Sequence, residues 1–125
     1  MPHFENDMKI LFVDDDNEFL DILKETFKDC ADGTYVYTGG EGLEQLKHKR
    51  FDVVVLDLMM FLDGVTFVKL ANGRLRDARV YFLSCLETEE VENKVSSIKE
   101  RIAGIFGKHD IESLKREILK EPVLG

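Results

Sequence analysis

Hydrophobic positions in this chain follow two rhythms that alternate from end to end. Apolar runs at residues 8–13 (broken only by Lys9), 53–56 and 80–83 are separated by stretches where apolar residues return every three or four positions. A continuous run reads as a strand buried on both faces of a parallel sheet. The three-to-four spacing reads as an amphipathic helix. Phe19, Leu20, Leu23 and Phe27 form the first helical stripe, with Asp16 and Asn17 as capping residues. Asp32-Gly33 signals a turn before a short strand over 34–37. Thr38-Gly39-Gly40-Glu41 has the Thr-x-x-Glu form of a capping box and opens a helix carrying Leu43 and Leu46. Beyond the central run, Asp63-Gly64 reads as a turn, and a short helix at about 65–71 is stopped by Asn72-Gly73. Val91, Val95, Ile98 and Ile102 predict one continuous helix. Its first turn holds Glu87, Glu89 and Glu90, which suits the positive end of the helix dipole. Residues 104–107 give a fifth strand, and Ile111, Leu114 and Ile118 a last helix ended by Pro122.

Five strand–helix units imply an α/β fold, a doubly wound parallel sheet with helices on both faces and right-handed crossovers. The 125 residues, 44% of them hydrophobic, suffice for one domain with a real core. The chain ends soon after the fifth helix, so a single domain over 1–125 with no attached output domain is expected. A net charge of -8 argues against nucleic acid and against an anionic membrane surface as partners. No apolar stretch approaches a membrane span, and the polar, acidic start is no signal peptide. Cys30 and Cys85 form no CxxC pair and have no zinc spacing. They read as reduced thiols of a cytoplasmic protein.

The strand ends carry the chemistry. Asp14-Asp15 follows the first run, Asp57 the third strand, Ser84 the fourth and Lys108 the fifth. A parallel sheet lines up the carboxyl ends of its strands along one edge, where ligand sites form. Carboxylates converging there repel one another unless a cation joins them. Gly39, Gly40 and Gly42 match neither GxGxxG nor a P-loop, so no nucleotide site is indicated.

With those residues in place, the chain resembles a response-regulator receiver domain of two-component signalling over essentially its whole length. The resemblance is carried by Ile10-Leu11-Phe12-Val13-Asp14-Asp15-Asp16, Phe51-Asp52-Val53-Val54-Val55-Leu56-Asp57-Leu58-Met59-Met60, Asp63-Gly64, Val80-Tyr81-Phe82-Leu83-Ser84 and Gly104-Ile105-Phe106-Gly107-Lys108, in order. It implies a flavodoxin-like (βα)5 fold with strand order 2-1-3-4-5, an order for which a receiver protein is a standard example. It implies a phosphorylation-dependent switch in which Asp57 accepts a phosphoryl group from a histidine kinase or phosphotransfer protein. Mg²⁺ would be held by Asp15, Asp57 and the Met59 backbone carbonyl, with Asp14 in support. Lys108 and Ser84 would contact the phosphoryl oxygens. The signal would pass by contact to a downstream protein, with no turnover chemistry beyond self-phosphorylation and self-dephosphorylation.

The chain departs from the family pattern in three places. His109 replaces the proline that usually follows the lysine, so a trans bond and a different fifth loop around Lys108 are expected. Phe61 stands where a proline is usual, and Asp63-Gly64 comes one residue early; an exposed Phe61 is a candidate partner contact. Ile105 occupies the site of a switching aromatic, and alternation sends Phe106 to the other face. Two other readings stay open. One is a pseudoreceiver, a binding module of the same fold that does not use phosphate. The other is a haloacid-dehalogenase-like phosphatase, because Asp14-Asp15-Asp16 supplies D-x-D, although Glu18 stands where Thr or Val belongs.

Overall fold

The computed structural model describes residues 8–60, 63–75, 77–85 and 88–120. Five parallel strands form one sheet in the order β2-β1-β3-β4-β5. They are β1 (Lys9–Val13), β2 (Asp32–Val36), β3 (Val53–Asp57), β4 (Arg79–Ser84) and β5 (Gly104–Gly107). Between and after them come α1 (Asn17–Phe27), α2 (Gly39–His48), α3 (Gly64–Leu75), α4 (Thr88–Val95) and α5 (Ile111–Lys120). The flavodoxin-like order implied by the resemblance is the one observed.

Strand alternation divides the core in two. Ile10, Phe12, Val53, Val55, Tyr81 and Leu83 face α1 and α5, packing on Phe19, Leu20, Leu23, Phe27, Leu114 and Ile118. Leu11, Val13, Val54, Leu56, Val80 and Phe82 face α2, α3 and α4, packing on Leu46, Phe67, Val68, Ala71 and Val91. Every residue of β3 is buried, as its unbroken apolar run requires. Ile105 joins the α2–α4 side and Phe106 the α1–α5 side, as alternation predicted.

The observed elements differ from the sequence pattern where tertiary contacts outweigh local signals. Asp16, not Asn17, caps α1, its carboxylate accepting from the Glu18 and Phe19 amides. β2 begins at Asp32, because pairing with β1 starts at Lys9↔Asp32 and the Asp32 amide donates to Met8 O at 2.8 Å. α3 runs straight through Asn72-Gly73. Glycine costs a helix about 1 kcal/mol, whereas burying Leu75 beyond the break returns roughly 1.5–3 kcal/mol. Asp63 is that helix's cap rather than a bare turn residue, since its Oδ1 accepts from the Thr66 amide at 2.8 Å. The stripe read as one fourth helix divides: α4 ends at Val95 and continues as a 3₁₀ segment, Ser96–Arg101. There Ile98 leaves helical geometry at φ -127, ψ 17, and Ile102 is extended. Thr38 and Glu41 form the predicted cap of α2, with Thr38 Oγ1 accepting from the Glu41 amide and Glu41 Oε1 accepting from the Tyr37 amide. Phe61, Glu87 and Pro122 lie outside the described residues.

Gly64 opens α3 against the end of β3. A Cβ there would lie 2.5 Å from a Phe82 ring carbon and 3.3 Å from the Asp57 carbonyl oxygen. Close approach, not an unusual φ, requires glycine here. Gly64→Ala is therefore expected to lower stability by about 1–3 kcal/mol, read as a reduced urea midpoint; an unchanged midpoint would mean the loop yields freely.

Candidate functional site

Two aspartates at neighbouring strand ends are fixed by the same local device. Asp14 follows β1, and its Oδ1 accepts the Asp16 amide at 2.9 Å. Asp57 ends β3, and its Oδ1 accepts the Met59 amide at 3.0 Å. Each is an Asx-type bond two residues forward, which short carboxylate side chains make readily. One oxygen of each aspartate is thereby spent, and the second is aimed into the sheet edge.

Both second oxygens meet Lys108. Its Nζ lies 2.9 Å from Asp14 Oδ2 and 3.2 Å from Asp57 Oδ2. The contact to Asp57 is a directed hydrogen bond. The approach to Asp14 is a close ion pair, but Asp14 Oδ2 has no well-angled hydrogen bond although it is fully buried. Asp14 and Asp57 are only 1% and 5% exposed. Asp15, on the opposite parity, is exposed. A carboxylate oxygen from each of Asp14, Asp15 and Asp57 lies within 4.8 Å of the others.

The electrostatics follow from an excess of carboxylates over one ammonium. Burial pushes the Asp14 carboxyl above its ordinary value, and the nearby Asp57 charge adds to that. Lys108 and the Asp16 amide oppose the rise without cancelling it. Burial alone would depress the Lys108 ammonium, but Asp14 and then Asp57 more than compensate and hold it above its ordinary value. The two upward shifts differ in origin: burial dominates at Asp14, whereas the two carboxylates raise Lys108 against its own burial.

Lys108 reaches the pocket although His109, not proline, follows it. The Lys108 amide donates to Ser84 O at 3.0 Å, extending the β4–β5 ladder by one step. The Asp110 amide closes a turn back to Gly107 O at 3.0 Å. Ser84 is buried at the end of β4, one residue beyond Leu83, the register partner of Asp57. Met59 presents an exposed side chain just past Asp57. Asp16, the second aspartate of the D-x-D, engages its Oδ1 in capping α1.

Sequence reasoning missed one participant. Phe19, read as a core residue of α1, places its ring 4.7 Å from Lys108 Nζ. The signal was available in the alternation: Asp14, Asp57 and Lys108 share the parity of the sheet face that α1 covers.

A sequence model of the response regulator receiver domain matches residues 10–119. The chain belongs to the receiver-domain family. The receiver domain of the Francisella response regulator 1452 is 29% identical, covering 90% of this chain and 95% of that one, with a TM-score of 0.74. Chemotaxis protein CheY4 of Vibrio cholerae is 23% identical over 94% of this chain and 98% of its own, with a TM-score of 0.79. The BeF3-activated receiver domain of DrrB, a Thermotoga maritima protein, is 21% identical over 91% and 98%, with a TM-score of 0.75. Receiver domains are signalling modules that switch on phosphorylation, bind Mg²⁺ at an acidic cluster and engage kinases and downstream targets. No helix among the described residues is long and apolar enough to cross a membrane.

The raised Asp14 carboxyl fixes the sign of a pH effect. The folded receiver domain holds this proton more tightly than the unfolded chain, so stability falls as pH rises from the ordinary carboxyl value of 3.8 through the raised one. Asp14→Asn removes that penalty. In chelator-treated buffer its stability relative to wild type should increase between about pH 3.5 and pH 7, measured by urea unfolding; a difference independent of pH would contradict the assignment.

Proposed function

We propose that this receiver domain is a phosphorylation-dependent signalling switch in which Asp57 accepts a phosphoryl group from a histidine kinase or phosphotransfer protein. The observation that carries the reading is the convergence of Asp14, Asp57 and Lys108 at one strand edge, with Lys108 Nζ within 3.2 Å of both carboxylates. In the transfer, an Asp57 oxygen attacks phosphorus and the P–N bond to the donor imidazole breaks. Its electron pair stays on nitrogen, and an acyl phosphate results. Such a reaction depends on positioning and charge neutralisation more than on proton movement.

The chain's own groups supply both. The Met59 amide orients the Asp57 carboxylate. Lys108, already paired with it, is placed to follow negative charge onto the phosphoryl oxygens. The buried Ser84 hydroxyl stands one residue past the strand partner of Asp57 and is assigned a second phosphoryl oxygen. Mg²⁺ fits the donor set, which is all oxygen and includes the buried Asp14 Oδ2 without a directed hydrogen bond. Asp14, Asp15 and Asp57, with the Met59 carbonyl, would hold it, and when bound it supplies charge neutralisation for the transfer. Output passes by protein contact, biasing a two-state equilibrium that a downstream partner reads. A cytoplasmic location accords with this role.

Incubation with acetyl phosphate and Mg²⁺, followed by intact-mass measurement, tests the proposal. A gain of one phosphoryl group is expected, abolished by Asp57→Asn and by chelator. No gain in wild type would favour a phosphate-independent binding module of the same fold.

A further inference from the structure

Lys108 has a third neighbour besides its two carboxylates. The Phe19 ring on α1 lies with its centroid 4.7 Å from Nζ, inside the range of a cation–π contact. Phe19 is itself held in place. It is 9% exposed, belongs to the α1–α5 core, and its amide is tied to the Asp16 cap. The Lys108 side chain is 15% exposed, so the ammonium sits where partial desolvation strengthens attraction to a ring face.

An ammonium has three N–H donors on a flexible stem. Asp14 and Asp57 lie within reach of two of them. Without a third contact the lysine could keep one carboxylate and turn its head toward solvent. A ring face offers attraction without offering a proton acceptor, so it holds the charge in the pocket and competes with neither carboxylate.

We infer that Phe19 is a positioning residue, whose ring face holds the Lys108 ammonium against Asp14 and Asp57. The inference deepens the phosphoacceptor reading and rests on it for its effect on transfer. The contact itself can be tested without any phosphorylation.

Phe19 would be replaced by 3,5-difluoro- and then 3,4,5-trifluorophenylalanine, which keep the ring's shape and drain its negative face. Phe19→Leu keeps an apolar filler and removes the ring. The first readout is proton exchange of the Lys108 ammonium by NMR in the unphosphorylated protein. The second is the rate of labelling by acetyl phosphate with Mg²⁺. Exchange should rise stepwise across the fluorinated series, to about fivefold for the trifluoro ring. The labelling rate should fall in the same order by a similar factor. A purely structural Phe19 would leave both flat across the isosteric series, and that result overturns the inference. Because the fluorinated rings preserve packing, the test survives even if Phe19→Leu fails to fold. If wild type takes no phosphoryl group, the phosphoacceptor reading fails, while the exchange series still decides for or against the contact.

Discussion

One ammonium shared by buried carboxylates is the constraint on which this molecule's functional edge is built. Asp14 and Asp57 are nearly inaccessible to water, so two like charges stand close together in a poorly solvated place. Lys108 stands between them and moderates the repulsion. Burial first, and the Asp57 charge in addition, still hold the Asp14 carboxyl above its ordinary value. The edge is thus left with surplus negative charge and a buried oxygen lacking a directed donor. Buried carboxylates in excess of their ammonium favour a cation beside them.

Sheet geometry explains why these groups meet. In a parallel sheet the side-chain period is two, so residues of one parity share a face in register across strands. Phe12 and Val55 are register partners on the α1–α5 side. Two residues further along each strand stand Asp14 and Asp57. Lys108 bears the same relation to Phe106. One alternation therefore buries the apolar side chains under α1 and α5 and, past the strand ends, brings together two acids and a base. Asp15 and Ser84 carry the other parity, yet an Asp15 oxygen still lies within 4.8 Å of one from each of Asp14 and Asp57. Phe19 enters because α1 covers the face on which the trio emerges.

Much of this was legible in the sequence because buried parallel strands write their own signature. The continuous runs at β1, β3 and β4 could be nothing shorter than core strands, and the residues ending them formed the candidate site. What was not legible depended on partners distant in sequence. Asp32-Gly33 looks like a turn until β1 is beside it, where pairing extends both residues. Asn72-Gly73 looks like a stop until the burial of Leu75 is weighed against it. The Val91–Ile102 spacing looked like one helix. Yet Ser96 turns its hydroxyl back onto Asn93 O, a bond that competes with helical pairing, and a 3₁₀ segment follows. The first two departures are local propensities of about 1 kcal/mol overruled by a larger tertiary term, and the third is a local side-chain bond that competes with the helix.

The fifth strand end shows how a site can keep its aim without a residue usual in its family. Proline after the lysine would fix the chain by its ring; here histidine follows, with no such restriction. Direction comes instead from hydrogen bonds. The ladder continues through the Lys108 amide to Ser84 O, and the turn closes from the Asp110 amide to Gly107 O. Asp110 then caps α5, its carboxylate accepting from the Ser113 amide and hydroxyl. Lys108 is thus fixed at its backbone by β4, from behind by the start of α5, and at its tip by two carboxylates and a ring. Backbone hydrogen bonds thus aim Lys108 at the pocket with histidine in the next position.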